Sequence, residues 1–229
     1  MSDWQVSYHG VVNPDVIGAT AVVIDVIRAF TTAAWAFELG AERIVLVKDI
    51  DEALELKARL PGSLAMKDGE TAPGFELTNS PAQMQRRTDL AGRTLVQRTT
   101  HGTQGAVAAR AADAMYCSSF VCAAATARAI RNAGIGRVAF VATDLDPSAQ
   151  EDLACAGYMA ALLNDPSADP QPYLRIAAAS TTATRITQSA KDGSEAADVA
   201  DVGMALEVNR FDFAMRAQDE DGLLVLRRV

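Results

Sequence analysis

The sequence predicts an α/β protein: three layers, α/β/α, around a mostly parallel but mixed sheet that ends in an antiparallel hairpin. Three observations carry that prediction. Apolar runs of strand length alternate with runs of helical length along most of the chain, the pattern of strands that take turns with covering helices. Polar turns rich in Asp, Ser, Thr and Gly separate them. Near the end, Phe211-Asp212-Phe213-Ala214-Met215-Arg216 and Leu223-Leu224-Val225-Leu226 flank Gln218-Asp219-Glu220-Asp221-Gly222, which is a hairpin signature and is expected at the edge of the sheet. With 229 residues, 49% of them hydrophobic, and no internal break in composition, a single domain over residues 1–229 is expected.

In order, Gln5 to His9 reads as a short edge strand. Ala21-Val22-Val23-Ile24 is a buried-strand run ending at Asp25, and Arg28 to Phe37 continues as helix, stopped near Gly40. The strand Arg43 to Val47 follows, then an acid-started amphipathic helix from Asp49 to Ala58, closed by Pro61-Gly62, and the strand Leu64 to Met66. Together these form a βαβαβ unit of a parallel sheet. Residues 67 to 81 show neither period and are expected to be one long loop, of a length often used for function. Thr94 to Gln97 is the next strand, Ala106 to Ala112 helix, Ala114 to Cys117 strand, and Val121 to Asn132 helix. Arg137 to Thr143 is the clearest strand, followed by a polar turn through Asp144 and Asp146-Pro147 and a helix from about Glu151 to Leu163. Asn164 to Pro172 reads as a surface linker, Tyr173 to Ala190 as helix, and Ala197 to Leu206 as another short one.

Charge narrows the function. A net charge of -8 with no Lys/Arg cluster disfavours nonspecific nucleic-acid or anionic-membrane binding, because phosphate backbones have to be met by clustered cations. The N-terminus lacks a signal-peptide pattern, and no apolar run approaches the ~18 residues of a spanning helix. A cytoplasmic location is therefore expected, and the three cysteines, Cys117, Cys122 and Cys155, are expected as reduced thiols. Alanine-rich helix faces such as Ala123 to Ala129 suit close packing within the chain or in a homodimer.

The richest stretch is Arg98-Thr99-Thr100-His101-Gly102-Thr103-Gln104-Gly105, between a strand and a helix. A helix start offers unpaired N–H groups and a positive dipole end, and an arginine, three hydroxyls and two glycines surround this one, so it suits an anion. Helix capping by Thr100 or Thr103 is the simpler use of the same residues. In an open α/β sheet such turns gather beyond the carboxyl ends of the strands. The rim then collects Asp25 and Arg28, Asp68 and Glu70, Arg98 to Thr103, Ser118-Ser119, Asp144, and Glu151-Asp152. Carboxylates with water suit Mg²⁺, and arginine suits phosphate, a pairing that metal-assisted phosphoryl transfer requires. Asp25 equally suits a helix cap, and Glu151-Asp152 a dipole-offsetting first turn. The Cys122-x5-Arg128 spacing of cysteine phosphatases is discounted, because helix would turn the two residues to different faces. Asp25-Val26-Ile27 lacks the second aspartate of an aspartyl-phosphate motif, and there is neither a Walker loop nor a Gly-x-Gly-x-x-Gly fingerprint.

Six ordered stretches resemble the successive motifs of the 2-phosphosulfolactate phosphatase family: Val23 to Ala29, Gly74 to Pro81, Gly92 to Thr100, Gly102-Thr103-Gln104-Gly105, Ser119-Phe120-Val121 and Glu151 to Ala156. Asn209 to Ala214 is similar to a seventh. The resemblance implies a Mg²⁺-dependent phosphatase with a three-layer fold, converting 2-phospho-3-sulfolactate to 3-sulfolactate and phosphate, a step toward coenzyme M. On this reading Asp25 and Arg98 are catalytic. Mg²⁺ falls to some of Asp25, Glu70, Glu151 and Asp152. Arg98 and the Thr99, Thr100 and Thr103 region, with His101 and Gly102, cradle the phosphate. Arg28 or Ser118-Ser119 holds the sulfonate or carboxylate, and Asn79 and Ser80 line the site. Two positions depart from the pattern: His101 stands where the family usually has asparagine, and Thr78 where it usually has glycine. That leaves open another small phosphorylated acid as substrate, or a noncatalytic anion-binding protein.

Overall fold

The computed structural model describes residues 4–10, 14–134, 136–143 and 150–229; Asp144 of the rim, with Asp146-Pro147 of the same expected turn, lies outside them. Ten strands form one sheet in the order β1-β8-β2-β7-β9-β10-β3-β6-β4-β5. The strands are β1 (Gln5–His9), β2 (Thr20–Ile24), β3 (Arg43–Val47), β4 (Leu64–Lys67), β5 (Leu77–Thr78), β6 (Thr94–Arg98), β7 (Ala114–Ser118), β8 (Arg137–Ala142), β9 (Met215–Glu220) and β10 (Leu223–Arg228). The first four in spatial order are parallel to one another, and so are the last four.

The hairpin does not sit at the edge. Strand β9 pairs antiparallel with β7, and β10 antiparallel with β3, so the hairpin joins the two parallel halves. The reason lies in its own residues. Leu224, Val225 and Leu226 are buried in succession, on both faces of the strand, as an interior strand requires and a half-solvated edge strand does not. The expected βαβαβ neighbours are also separated: β7, β9 and β10 intervene between β2 and β3, and β6 between β3 and β4.

The helices are α1 (Ala29–Glu38), α2 (Ile50–Arg59), α3 (Pro81–Gln85), α4 (Gly102–Ala108), α5 (Ala123–Ala133), α6 (Gln150–Asn164), α7 (Gln171–Ala178), α8 (Thr181–Lys191) and α9 (Asp201–Ala205). They cover both faces. Ala21 and Val23 point into one core with Phe30 and Trp35 of α1 and Ala106 of α4. Val22 and Ile24, one residue out of phase, point into the opposite core with Ile130 of α5 and Tyr158 and Met159 of α6. A third cluster packs Ala53 and Leu56 of α2 on Val45 and Val96. The alanines of α5 serve intrachain packing: Ala123 and Ala127 belong to the core shared with α6.

The loop expected over residues 67 to 81 contains β5 and leads into α3. Ser80 caps that helix, accepting from the Gln83 N–H at 3.2 Å, with Pro81 in its first turn. The expected helix from Tyr173 to Ala190 is two helices, broken where the Ser180 hydroxyl accepts from the Ala183 N–H at 3.1 Å and starts α8.

Candidate active site

Residues just past the carboxyl ends of β2 and of the neighbouring strands β6, β4 and β5 border one cavity of about 570 Å³, although four strands separate β2 from β6 in the sheet. Asp25 follows β2, Asp68 follows β4, Asn79 follows β5, and Thr99, Thr100 and His101 follow β6. The far wall comes from the C-terminal third of the chain, through Arg185, Ile186 and Ser189 of α8 and the segment Ser194 to Ala197.

Asp25 is 6% exposed. One carboxylate oxygen accepts from the Ala29 N–H at 2.9 Å, so it does receive the first turn of α1. Gly102 passes close to the other: a Cβ there would lie 2.8 Å from Asp25 Oδ2 and 2.6 Å from the Ala29 Cβ, so only glycine fits without displacement. Burial, above all, pushes the Asp25 carboxyl up to about 6 from 3.8. The Ala29 N–H and His101 oppose the rise, while the negative charges of Glu151 and Asp68 add to it. Asp152 is raised well above its ordinary value, by burial first and then by Asp25, despite accepting from the Val26 N–H at 2.8 Å and the Thr143 hydroxyl at 3.0 Å.

Glu151 is 3% exposed, and its Oε2 has no hydrogen-bond partner among the described residues. Asp25, Glu151, Asp152, His101 and Thr143 border a cleft of about 20 Å³, space for one water or ion. An orphaned carboxylate oxygen beside two further carboxylates is costly unless a cation or a proton arrives. Among the described residues no three acidic, His or Cys side chains are arranged to hold an ion unaided. Mg²⁺ does not need that many, since it is commonly held by one or two carboxylates and completed by water and substrate phosphate. The donor set fits it on those terms.

Arg98 is held at three points: Nε donates to the Lys48 carbonyl at 3.3 Å, and Nη1 to Asp68 Oδ1 at 3.2 Å and to Thr100 Oγ1 at 3.3 Å. Asp68 also accepts from the Thr100 N–H at 2.7 Å, so one carboxylate fixes both the arginine and the turn. Thr99 and Thr103 serve each other. The Thr103 hydroxyl accepts from the Thr99 N–H at 2.9 Å, and the Thr99 hydroxyl from the Thr103 N–H at 3.0 Å. Thr103 is fully buried; it builds the turn and its hydroxyl does not face the cavity.

The remaining expected residues divide. Asn79 borders the cavity, 5% exposed, with its Oδ1 unpartnered among the described residues. Arg28 borders it too, but Nη1 donates to Asp201 Oδ2 at 2.5 Å and to the Ala196 carbonyl at 2.8 Å. Its acidic partner is Asp201, while Glu70 accepts from Ser194 Oγ at 2.8 Å. Ser80 donates to Asp201 Oδ1 at 2.6 Å and belongs to that buried tie. Ser118 bonds Thr126 Oγ1 at 3.1 Å, Ser119 accepts from Thr31 at 3.1 Å, and both are fully buried, so neither hydroxyl borders the cavity. Cys122 is buried with its thiol raised by burial, while Arg128 pairs with exposed Asp212 at 2.6 Å; they form no phosphate loop.

A family model described as 2-phosphosulpholactate phosphatase matches residues 8–217. The chain belongs to this family. Similar relatives include the "Probable 2-phosphosulfolactate phosphatase" of Bacillus subtilis, 35% identical over 144 residues, 62% of this chain and 63% of that one. Those of Carboxydothermus hydrogenoformans (37% over 144 residues, 62% and 59%) and Caldicellulosiruptor saccharolyticus (35% over 161 residues, 66% and 66%) are comparable. The matches thus span about three fifths to two thirds of those relatives' length.

Not every stretch that resembles the family's motifs carries chemistry. In Asn209 to Ala214, Asn209 accepts from the Ala124 N–H at 2.8 Å at the start of α5, and Phe211 packs edge-on against Trp35, ring centroids 5.2 Å apart. The family-matched region also supplies site residues that the sequence did not single out: Lys67, Arg185, Ser189 and Ser194. Asp68, expected on the rim as an acid one residue past a strand end, does border the cavity. For Arg185 the signal was weak, an exposed cation on a helix whose Ala183 and Ile186 are buried. No helix among the described residues is long and apolar enough to cross a membrane.

Proposed function

We propose that this chain is a Mg²⁺-dependent phosphatase that hydrolyses 2-phospho-3-sulfolactate to 3-sulfolactate and inorganic phosphate. One observation carries the reading: the buried, unpartnered Glu151 oxygen lies beside the raised carboxyl of Asp25 at the edge of a cavity lined by Lys67, Arg98 and Arg185. That combination suits a cation on one side and an anionic ester on the other. Glu151 and Asp152 would hold Mg²⁺, which when bound offsets charge on the phosphoryl oxygens.

The protein's own residues do the rest. Arg98, oriented by Asp68 and Lys48, presents a fixed guanidinium to the phosphoryl group, as preorganised stabilisation of spreading negative charge requires. Asp25, ionised above a pH of about 6, accepts the proton of the attacking water as the P–O bond to the substrate carbon breaks. The departing oxygen takes up a proton from solvent and leaves as the hydroxyl of 3-sulfolactate, and Asp25 returns its proton to solvent. Asp152 positions rather than reacts, through its bonds to Val26 and Thr143.

Phosphate release from 2-phospho-3-sulfolactate by the purified protein, with Mg²⁺ and with excess EDTA, tests the reading, with phospholactate and phosphoglycolate as comparisons. Metal-dependent turnover greatest on the sulfonated ester is expected. Turnover confined to the comparison esters would reassign the substrate. Absence of release from all three, with ligand-induced thermal stabilisation retained, would replace the enzyme by an anion-binding protein.

A further inference from the structure

Four cations border the cavity, and three are already engaged. Arg28 is tied to Asp201 and Ala196, Arg98 to Asp68, Lys48 and Thr100, and Lys67 Nζ donates to the Glu70 carbonyl at 2.6 Å. Arg185 differs. Among the described residues no carboxylate lies within ion-pair distance of it and no group hydrogen-bonds its guanidinium. On its helix Thr182, Ala183 and Ile186 are buried, while Arg185 itself is exposed.

Its position is also particular. Arg185 borders the main cavity, the acidic cleft, and an adjoining recess of about 530 Å³ toward Gln188 and Asp192, and among the described residues it alone borders all three. The acidic cleft and the preset Arg98 suit the reacting phosphoryl group. The recess is where the unreacting end of a substrate seated there would extend. In a chain of net charge -8, a multiply anionic ligand needs a local cation not already neutralised by its own acid; of the four, Lys67 and Arg185 meet this among the described residues, and Lys67, bonded to the Glu70 carbonyl, borders neither the acidic cleft nor the recess.

We propose that Arg185 binds the second anionic group of the substrate, its sulfonate or carboxylate, and so selects phosphate esters that carry a further anionic group over simple phosphate esters. The assignment rests on the phosphatase reading for the identity of the substrate. The planar guanidinium fork matches two oxygens of a sulfonate or carboxylate at once, which an ammonium does not.

The test separates the two claims by measuring binding as well as turnover. Calorimetric titration with 3-sulfolactate and, separately, with inorganic phosphate is run on the wild type, Arg185→Ala and Arg185→Lys. Expected is a roughly 10- to 100-fold weaker affinity of Arg185→Ala for 3-sulfolactate, partial recovery in Arg185→Lys, and phosphate affinity within about 2-fold of wild type. In turnover of 2-phospho-3-sulfolactate, KM rises with kcat held, the mark of lost uniform binding. Equal weakening toward phosphate and 3-sulfolactate, a fall in kcat alone, or no 3-sulfolactate binding by the wild type at millimolar concentration would overturn the assignment. Selective weakening toward 3-sulfolactate in a protein that releases no phosphate would uphold the anion site and sink the phosphatase.

Discussion

Asp25 carries opposed demands of stability and function in one side chain. Its folded-state carboxyl sits near 6 against 3.8 for the free group, so between those values the folded protein holds a proton that the unfolded chain has lost. Stability from this group therefore falls as pH rises from about 4 to about 6, by up to roughly 3 kcal/mol in metal-free protein. Asp25→Asn keeps an oxygen for the Ala29 N–H and removes the buried charge. In EDTA at pH 7.5 its Tm should exceed wild type by several degrees, the gap closing toward pH 4, while phosphatase turnover is lost. Calorimetric scans across pH decide it, and equal Tm at pH 7.5 would count against. Glu151 gives the complementary case. Mg²⁺ should raise the wild-type Tm and leave Glu151→Gln unmoved, because the orphaned oxygen that would meet the ion has lost its charge; an unchanged Mg²⁺ shift in that variant would remove Glu151 from the metal site. Asp25 could be singled out from sequence because it ends an apolar run and precedes a helix. Its pairing with Gly102 could not, since a close approach between residues so far apart in sequence leaves no local pattern.

At the scale of elements, the cavity wall depends on a tie that no motif announces. Asp201 of α9 accepts from Arg28 and the Asp198 N–H on one oxygen, and from Ser80 and the Ala82 N–H on the other, with no exposure to solvent. It joins the start of α1, the start of α3 and the segment before α9. Asp201→Ala leaves the Arg28 charge buried without its acid, and a loss of about 3–5 kcal/mol is expected by urea denaturation; a loss under about 1 kcal/mol would show the tie to be dispensable. Arg28 was legible as a site-rim arginine, but its commitment was not, because its partner is 173 residues away. Local signals fared better where they were purely local. Arg43 to Val47 is a strand with the expected ends, because a short apolar run rich in β-branched residues leaves little alternative. The break at Ser180 was readable as a helix cap, yet the helical period on both sides masked it.

At the scale of the molecule, the sheet is two parallel four-stranded halves joined by one antiparallel hairpin. The sequence made the hairpin visible and its place invisible: turn chemistry depends on adjacent residues, whereas insertion between β7 and β3 depends on partners in remote segments. The one clue was the unbroken apolar run Leu223 to Leu226, which suits a strand covered on both faces. The placement has a consequence that an edge hairpin would lack. Met115 to Cys117 of β7 pair with Ala217 to Met215, and Ile44 and Val45 of β3 with Leu226 and Val225. Removing the hairpin thus opens two interior edges in the middle of the core and strips Phe211 and Phe213 from Trp35 and Phe37. A chain ending at Arg210 should show no cooperative thermal transition and should aggregate through its unpaired strands. Were the hairpin peripheral, the same truncation would lower Tm by a few degrees and leave a two-state transition. Calorimetry of the truncated chain, with size-exclusion chromatography to detect aggregates, separates these outcomes. A retained cooperative transition would mean that the two halves fold without the strands that join them.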